Sequence, residues 1–332
     1  MTKLLFRETA TNKIVMSPNY NFVFYKTNGN FARWGKTKED DPQQAPAPEI
    51  ADIEISTVCT KGCPFCYKGN TACGKNMTLE QFKDIFAKLP RTLTQIAFGI
   101  GDVSGNPDLE AILAYTRSKG VVPNITINAH NMTAEQYDML ARHCGAVAVS
   151  LYNYDDCYNA VEELSKRGMK QVNIHCLLSH ETFDRCLAVI TNAIHDTRLK
   201  GKLNAIVFLH LKSKGRAVSG GFTNPTDYEF KSVVDYALSS GVGFGFDSCS
   251  ANKAMRYLPK EYHERVEPCE STLFSCYINV EGYAYPCSFA EDVYDGVLVT
   301  AHEDFWNSIP YKQFREKCLA CKRSCPIYDL GE

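Results

Sequence analysis

Three cysteines stand close together in CTKGCPFC, with Cys59, Cys63 and Cys66 separated by three residues and then by two. Thiolates are soft ligands suited to iron–sulfur clusters or zinc. Three of them leave one corner of a four-iron cluster without a protein ligand, and an open iron can bind and activate another molecule. The competing reading is a zinc site completed by a residue distant in sequence. A second group, Cys269, Cys276, Cys287, Cys318, Cys321 and Cys325, crowds the last fifth of the chain. Such cysteines hold a further cluster or close a structural site of the zinc-ribbon kind. The other six, Cys73, Cys144, Cys157, Cys176, Cys186 and Cys249, are isolated and read as small core residues, with Cys249 in FDSCS the one to watch.

Regular elements must hold the front cysteines in place. From Asp52 the chain alternates between short β-branched runs and helical patterns, the signature of βα units around a parallel sheet. Strands are expected at 52–57, 95–100, 124–128, 146–151, 171–177 and 205–211. Thr78 with Gln81, Thr133 with Gln136 and Thr226 with Glu229 form capping-box signals at helix starts. Six such units with helices outside make an α/β protein, a partial (β/α)6 TIM-like barrel, whose functional residues lie at the C-terminal ends of its strands. The front cysteines then occupy the loop after the first barrel strand.

Other segments flank this barrel, assigned to 51–241. Residues 1–37 form an N-terminal β segment, a β-hairpin turning at Asn28-Gly29. Residues 38–50, with Asp40, Asp41, Pro42, Pro46 and Pro48, are acidic, proline-rich and aperiodic, and read as a linker. After Gly241 glycine and cysteine become dense, and helical periodicity returns only briefly around 304–318. Residues 242–332 are expected to be a small C-terminal cysteine-rich domain.

The chain has 332 residues, 36 basic against 38 acidic, and a net charge of −2, so bulk charge indicates neither nucleic acid nor an anionic membrane surface. No apolar run is long enough to span a bilayer, and the N-terminus is too polar after Phe6 for a signal-peptide core. A cytoplasmic protein is the expectation. In that reducing compartment clustered cysteines are more often ligands than disulfides.

The Cys-x3-Cys-x2-Cys loop, with an aromatic residue just before its last cysteine, resembles the signature of the radical S-adenosylmethionine (SAM) superfamily. The resemblance implies that Cys59, Cys63 and Cys66 hold a [4Fe–4S] cluster whose open iron chelates SAM, and that Phe65 lies against the adenine. Reductive cleavage of SAM would then give a 5′-deoxyadenosyl radical that abstracts a substrate hydrogen. The turn Ile100-Gly101-Asp102-Val103 aligns with the family's Gly-Gly-Glu-Pro motif but departs from it at three of four positions. Gly101 still permits close backbone approach, and Asp102 can accept from an ammonium. Asn128 and Ser150, at the ends of the third and fourth strands, and His175 on the fifth, sit where the family places further SAM contacts. Each also has a plainer reading, Asp102 as a turn cap and the others as strand-end polar groups.

The C-terminal cysteines, with Gly282 five residues ahead of Cys287, resemble the SPASM and twitch extensions of radical SAM enzymes. Six cysteines are too few for two fully thiolate-ligated clusters, so one auxiliary [4Fe–4S] cluster is expected. The set Cys269, Cys276, Cys287 and Cys325 is closest to the first SPASM cluster. A twitch-like alternative replaces Cys269 or Cys276, and Cys325, with Cys318 and Cys321. Lys212, Lys214 and Arg216, in the loop after the sixth strand, read as either substrate contacts or a solvated loop. The expected activity is that of a radical SAM oxidoreductase modifying or cross-linking a peptide or protein, served by an electron donor such as flavodoxin or ferredoxin. The alternatives are the same chemistry on a small molecule such as a carbohydrate or nucleoside, and a non-catalytic binding protein stabilised by zinc.

Overall fold

The computed structural model describes residues 4–328. The N-terminal segment holds four short strands, β1 (Leu5–Glu8), β2 (Asn12–Met16), β3 (Asn21–Tyr25) and β4 (Phe31–Trp34), in an antiparallel sheet that follows chain order. The expected hairpin is its β3–β4 pair, with Gly29 at φ +74° in the turn. The two strands before it are short and carry Arg7, Glu8 and Lys13, which masks their alternation. The inner face is apolar, and Val15, Phe22 and Phe24 pack with Leu273, Phe274 and Phe314 in a second core. Arg33 stacks 3.5 Å from the centre of the Phe274 ring and pairs with Glu49 at 2.8 Å. This sheet is therefore fastened to the C-terminal part of the chain.

The barrel follows as β5 (Ile50–Glu54), α1 (Leu79–Phe86), β6 (Gln95–Gly99), α2 (Leu109–Ser118), β7 (Val122–Ile127), α3 (Ala134–His143) and β8 (Ala146–Ser150). It continues with α4 (Tyr154–Lys166), β9 (Gln171–Leu178), α5 (Phe183–His195), β10 (Ala205–His210), a single turn α6 (Arg216–Ser219) and α7 (Asp227–Ser240). All three capping boxes form, at Thr78, Thr133 and Thr226. Each satisfies backbone donors that the helix start would otherwise leave unpaired.

The sheet runs on past residue 241. Strand β11 (Phe244–Phe246) extends it in parallel beside β10, and after α8 (Ala251–Met255) the chain returns to lay β12 (Ser275–Ile278) parallel to β5 on the other side. Strands β13 (Tyr283–Tyr285) and β14 (Val297–Leu298) complete it, and α9 (Ile309–Ala320) follows. The cysteine-rich extension is thus continuous with the barrel wall. Its hairpin turns at Gly282, where φ is +85°. No helix among the described residues is long and apolar enough to cross a membrane.

Residues paired across parallel strands share a face. Ile53, Phe98, Ile125, Val147, Ile174 and Phe208 are buried beneath the helices. The opposite face carries a ring of Glu54, Gly99, Thr126, Ala148, Asn173 and Ala205, and beyond it Ser150, His175, Val207 and Gly245. A closed barrel fills its interior with bulky branched side chains. Small and polar side chains line this interior, or lumen, and Thr126, Asn173, His175 and Val207 in it keep partial solvent access. Asp52, on the same face, is reached by solvent yet walled by protein. That enclosure, with repulsion from Glu270, raises its carboxyl to about 7.

Candidate active site

The cysteine loop leaves the C-terminal end of β5 and closes on itself. Cys59 N–H donates to the Thr71 carbonyl at 2.9 Å, Cys66 N–H to Cys63 at 3.2 Å, and Gly69 N–H to Cys66 at 3.3 Å. The three thiols are half-buried. Burial, then repulsion from Cys59 and Cys66, pushes the Cys63 thiol up to about 11, against the pull of Lys61 and Arg216. Among the described residues no three His, Cys, Asp or Glu side chains converge on a single metal-ion position.

Asp102 binds this loop from β6. Its Oδ2 accepts from the Thr60 amide at 2.8 Å and the Thr60 hydroxyl at 2.7 Å, and its Oδ1 accepts from Asn128 Nδ2 at 2.7 Å. Burial would raise the carboxyl, but those hydrogen bonds outweigh it and hold Asp102 below the usual carboxylate range. Asn128 also reaches Cys59 Sγ at 3.9 Å. Asp102 N–H donates to the Val58 carbonyl at 2.9 Å. At Gly101 a side chain has no room, because a Cβ there would run into the Val58 carbonyl and stand 2.7 Å from the Cys59 Cβ. Gly101, Asp102 and Asn128 therefore meet at the first cysteine. Asp102 thus accepts twice from Thr60 of the cysteine loop, once from Asn128 and once from the Cys59 thiol.

Phe65 lies between two other rings, 5.6 Å from Tyr152 and 5.3 Å from Phe222. Tyr152 is hydrogen-bonded to Ser150, and burial followed by the nearby Cys63, Cys66 and Cys59 thiols raises its hydroxyl. Ser150 pairs with His175 across β8 and β9, so both face the lumen. Enclosure lowers His175 to about 4 despite Asp247, leaving it neutral at pH 7. No motif or spacing marks Thr60 or Phe222.

Arg216 departs from its expected setting. Its backbone N–H donates to Cys66 at 3.0 Å, its Nε to the Cys63 carbonyl at 2.8 Å and its Nη1 to the Asn70 carbonyl at 2.9 Å. Gly215, at φ +61°, and Gly220 lie so close to the same loop that a Cβ at 220 would stand 2.7 Å from the Pro64 carbonyl. The loop after β10 clasps the cysteine loop. Lys212 is buried and paired with Asp247, and Lys214 pairs with Asp292 at 3.0 Å.

A second clasp joins the cysteine loop to the extension. Lys68 Nζ lies 3.2 Å from Glu54, 2.6 Å from Glu291 and 2.9 Å from the Tyr277 hydroxyl. Burial raises Glu54, with Lys68 opposing it. One ammonium thus holds two enclosed carboxylates. Replacing it with a similar apolar chain, Lys68→Met, leaves both uncompensated and is expected to lower the unfolding free energy by about 3–5 kcal/mol. Anaerobic urea denaturation measures this, and a loss below about 1 kcal/mol would show that the cluster is solvated.

The C-terminal cysteines separate into two environments. Cys276 lies in the barrel core, aligned with Ala51 across β12 and β5, on the helix-covered face. Cys269 and Cys318 belong to the second core, with the half-buried Cys287 against it. Burial, then the Cys269 and Cys325 thiols, pushes Cys287 up to about 12. The Cys269 amide donates to the Arg323 carbonyl at 3.2 Å, and Arg323 Nε donates to the Cys269 carbonyl at 3.0 Å. The Cys321 thiol donates to the Ser324 carbonyl at 3.0 Å, and the Tyr328 amide donates to Cys325 Sγ at 3.4 Å.

Residues 53–191 match the family model of the radical SAM superfamily. Among solved structures, the fold resembles Streptococcus suis SuiB bound to precursor peptide SuiA, with a TM-score of 0.69 and 14% identity over 95% of this chain and 90% of that one. It also resembles anSMEcpe with bound AdoMet and the Cp18Cys peptide, at TM-score 0.60 and 13% identity over 84% and 88% of the two chains. A third similar structure is the FeFe-hydrogenase maturase HydG from Carboxydothermus hydrogenoformans, at TM-score 0.51 and 17% identity over 70% and 59%. No curated protein matches the sequence. The superfamily's cofactors are a [4Fe–4S] cluster and SAM, and the residues present suit both. Three soft donors share one loop, and the Gly101 cradle and the aromatic wall of Phe65 and Tyr152 adjoin them. The chain therefore contains, at residues 53–191, a domain of the radical SAM superfamily.

Proposed function

We propose that the chain is a radical SAM oxidoreductase that removes a hydrogen atom from a carbon of a peptide or protein and leads to its oxidation or cross-linking. When bound, the cluster and SAM supply a 5′-deoxyadenosyl radical on reduction by a flavodoxin- or ferredoxin-type donor. In this reading Cys59, Cys63 and Cys66 hold the cluster. Asp102, Asn128 and Arg216 fix the loop that carries them, and Phe65, Tyr152, Ser150 and the Gly101 backbone form the SAM-facing wall. The lumen orients the substrate and limits water, which is what the protein contributes when a cofactor carries the reactive chemistry. The C-terminal cysteines hold an auxiliary cluster able to take up the electron left after hydrogen abstraction.

The observation that carries this reading is the inner face of the barrel, where Asn173 and His175 stand partly solvent-reached among small residues, with the cysteine loop leaving the C-terminal end of β5 beside it. A peptide is favoured because two structures of similar fold are bound to peptides, SuiB with SuiA and anSMEcpe with Cp18Cys. The test is isotope transfer. The anaerobic enzyme, dithionite and SAM are supplied with a uniformly deuterated peptide digest, or with deuterated sugars and nucleosides. Deuterium in 5′-deoxyadenosine with the peptide pool alone is the expected result. Transfer only from the small molecules would overturn the peptide assignment.

A further inference from the structure

The loop that follows β11 touches the cysteine-rich extension directly. Asp247 N–H donates to the Phe208 carbonyl at 3.1 Å, and its side chain pairs with Lys212 and accepts from the Ser250 hydroxyl at 2.6 Å. Two residues on, Asn252 Nδ2 donates to Ser324 Oγ at 2.6 Å and reaches the Lys322 carbonyl at 3.4 Å. Cys249 lies between these anchors, enclosed by protein and opposite Cys269 and Cys325. Cys287 faces the same two thiols. Cys249 and Cys287 thus share Cys269 and Cys325 as charged neighbours, and hydrogen bonds tie their segments together, from Asn252 to Ser324, from the Cys269 amide to the Arg323 carbonyl and from Lys214 to the Phe289 carbonyl.

Cys276 is outside this group. The alternation of β12 turns Tyr277 toward Lys68 and the lumen, and so turns Cys276 into the core beneath the helices, where it is 1% exposed. Cys318 is fully buried against Phe314 and Phe274, and its thiol is hydrogen-bonded to that of Cys269. Cys321 bonds the carbonyls of its own loop.

We infer that Cys249 is a ligand of the auxiliary cluster, which is held by Cys249, Cys269, Cys287 and Cys325. This rests on the reading of the extension as an iron–sulfur site. The cluster then staples the end of β11 to the C-terminal extension, because one ligand belongs to the barrel and three to the extension. Metal loading draws the protons from four enclosed thiols, so its free energy also orders both segments.

The test uses full-length protein carrying Cys63→Ala, to remove the first cluster, reconstituted without oxygen. Iron and sulfide are counted, and the EPR spectrum of the reduced protein is recorded. The parent variant is expected to hold about four irons per chain. Absence of iron there would defeat the auxiliary-cluster reading itself, separately from the ligand assignment. Adding Cys249→Ala is expected to remove at least about half of that iron, whereas Cys276→Ala leaves both iron and spectrum unchanged. Cys249→Ser, which keeps the size and offers oxygen in place of sulfur, is expected to retain the fold and shift the spectrum. Full iron with an unchanged spectrum in both Cys249 variants would overturn the assignment, as would loss of iron confined to Cys276→Ala.

Discussion

Cys63→Ala is expected to abolish formation of 5′-deoxyadenosine from SAM, by at least about a thousandfold, or ~4 kcal/mol in barrier. Two thiolates do not hold a site-differentiated four-iron cluster. The fold around it should survive. The anchors of this loop at residue 63 are backbone groups, the carbonyl that accepts from Arg216 and from Cys66 N–H, and alanine retains them. Circular dichroism should therefore be unchanged and the auxiliary iron retained. The measurement is 5′-deoxyadenosine by chromatography under dithionite. Turnover within tenfold of wild type would remove Cys63 from the ligand set.

The second large effect is expected from a single methyl group. Gly101→Ala drives a Cβ into the Val58 carbonyl and the Cys59 Cβ. The carbonyl belongs to backbone held by the Asp102 N–H, so neither neighbour swings away as a long side chain would. Overpacking of this kind costs about 1–3 kcal/mol, and the loop relieves it by moving. A displacement of about 1 Å at a reacting centre costs about 100-fold in rate. The variant should fold with a modest loss of thermal stability and load iron, yet cleave SAM about 100-fold more slowly. Wild-type cleavage rates would show that Gly101 does not border the site.

These effects follow from features of differing legibility. The cysteine loop and the three capping boxes are local, each written within about eight residues, and sequence spacing is enough to read them. The joining of β12 to β5 pairs Cys276 with Ala51, residues more than 200 apart, through strands too short for a marked period. That register alone decides that Cys276 faces the core and Tyr277 the lumen, so the cysteine count could not separate Cys276 from Cys249. Arg216 is hidden for another reason. It binds backbone carbonyls, which every residue has, so no partner side chain records it in the sequence. Asp102 looked like a SAM contact or a turn cap, and its capping contacts go to Thr60 in the cysteine loop.

In the proposed function this barrel brings together a cluster-bearing cysteine loop and a second iron–sulfur site. The most direct test of that function is anaerobic reconstitution of the wild-type chain with iron and sulfide, followed by counting iron and measuring 5′-deoxyadenosine after dithionite and SAM are added. The expected result is about eight irons per chain, four at each site, with SAM cleavage. Stoichiometric zinc, no iron uptake and no 5′-deoxyadenosine would contradict it and leave a zinc-stabilised binding protein.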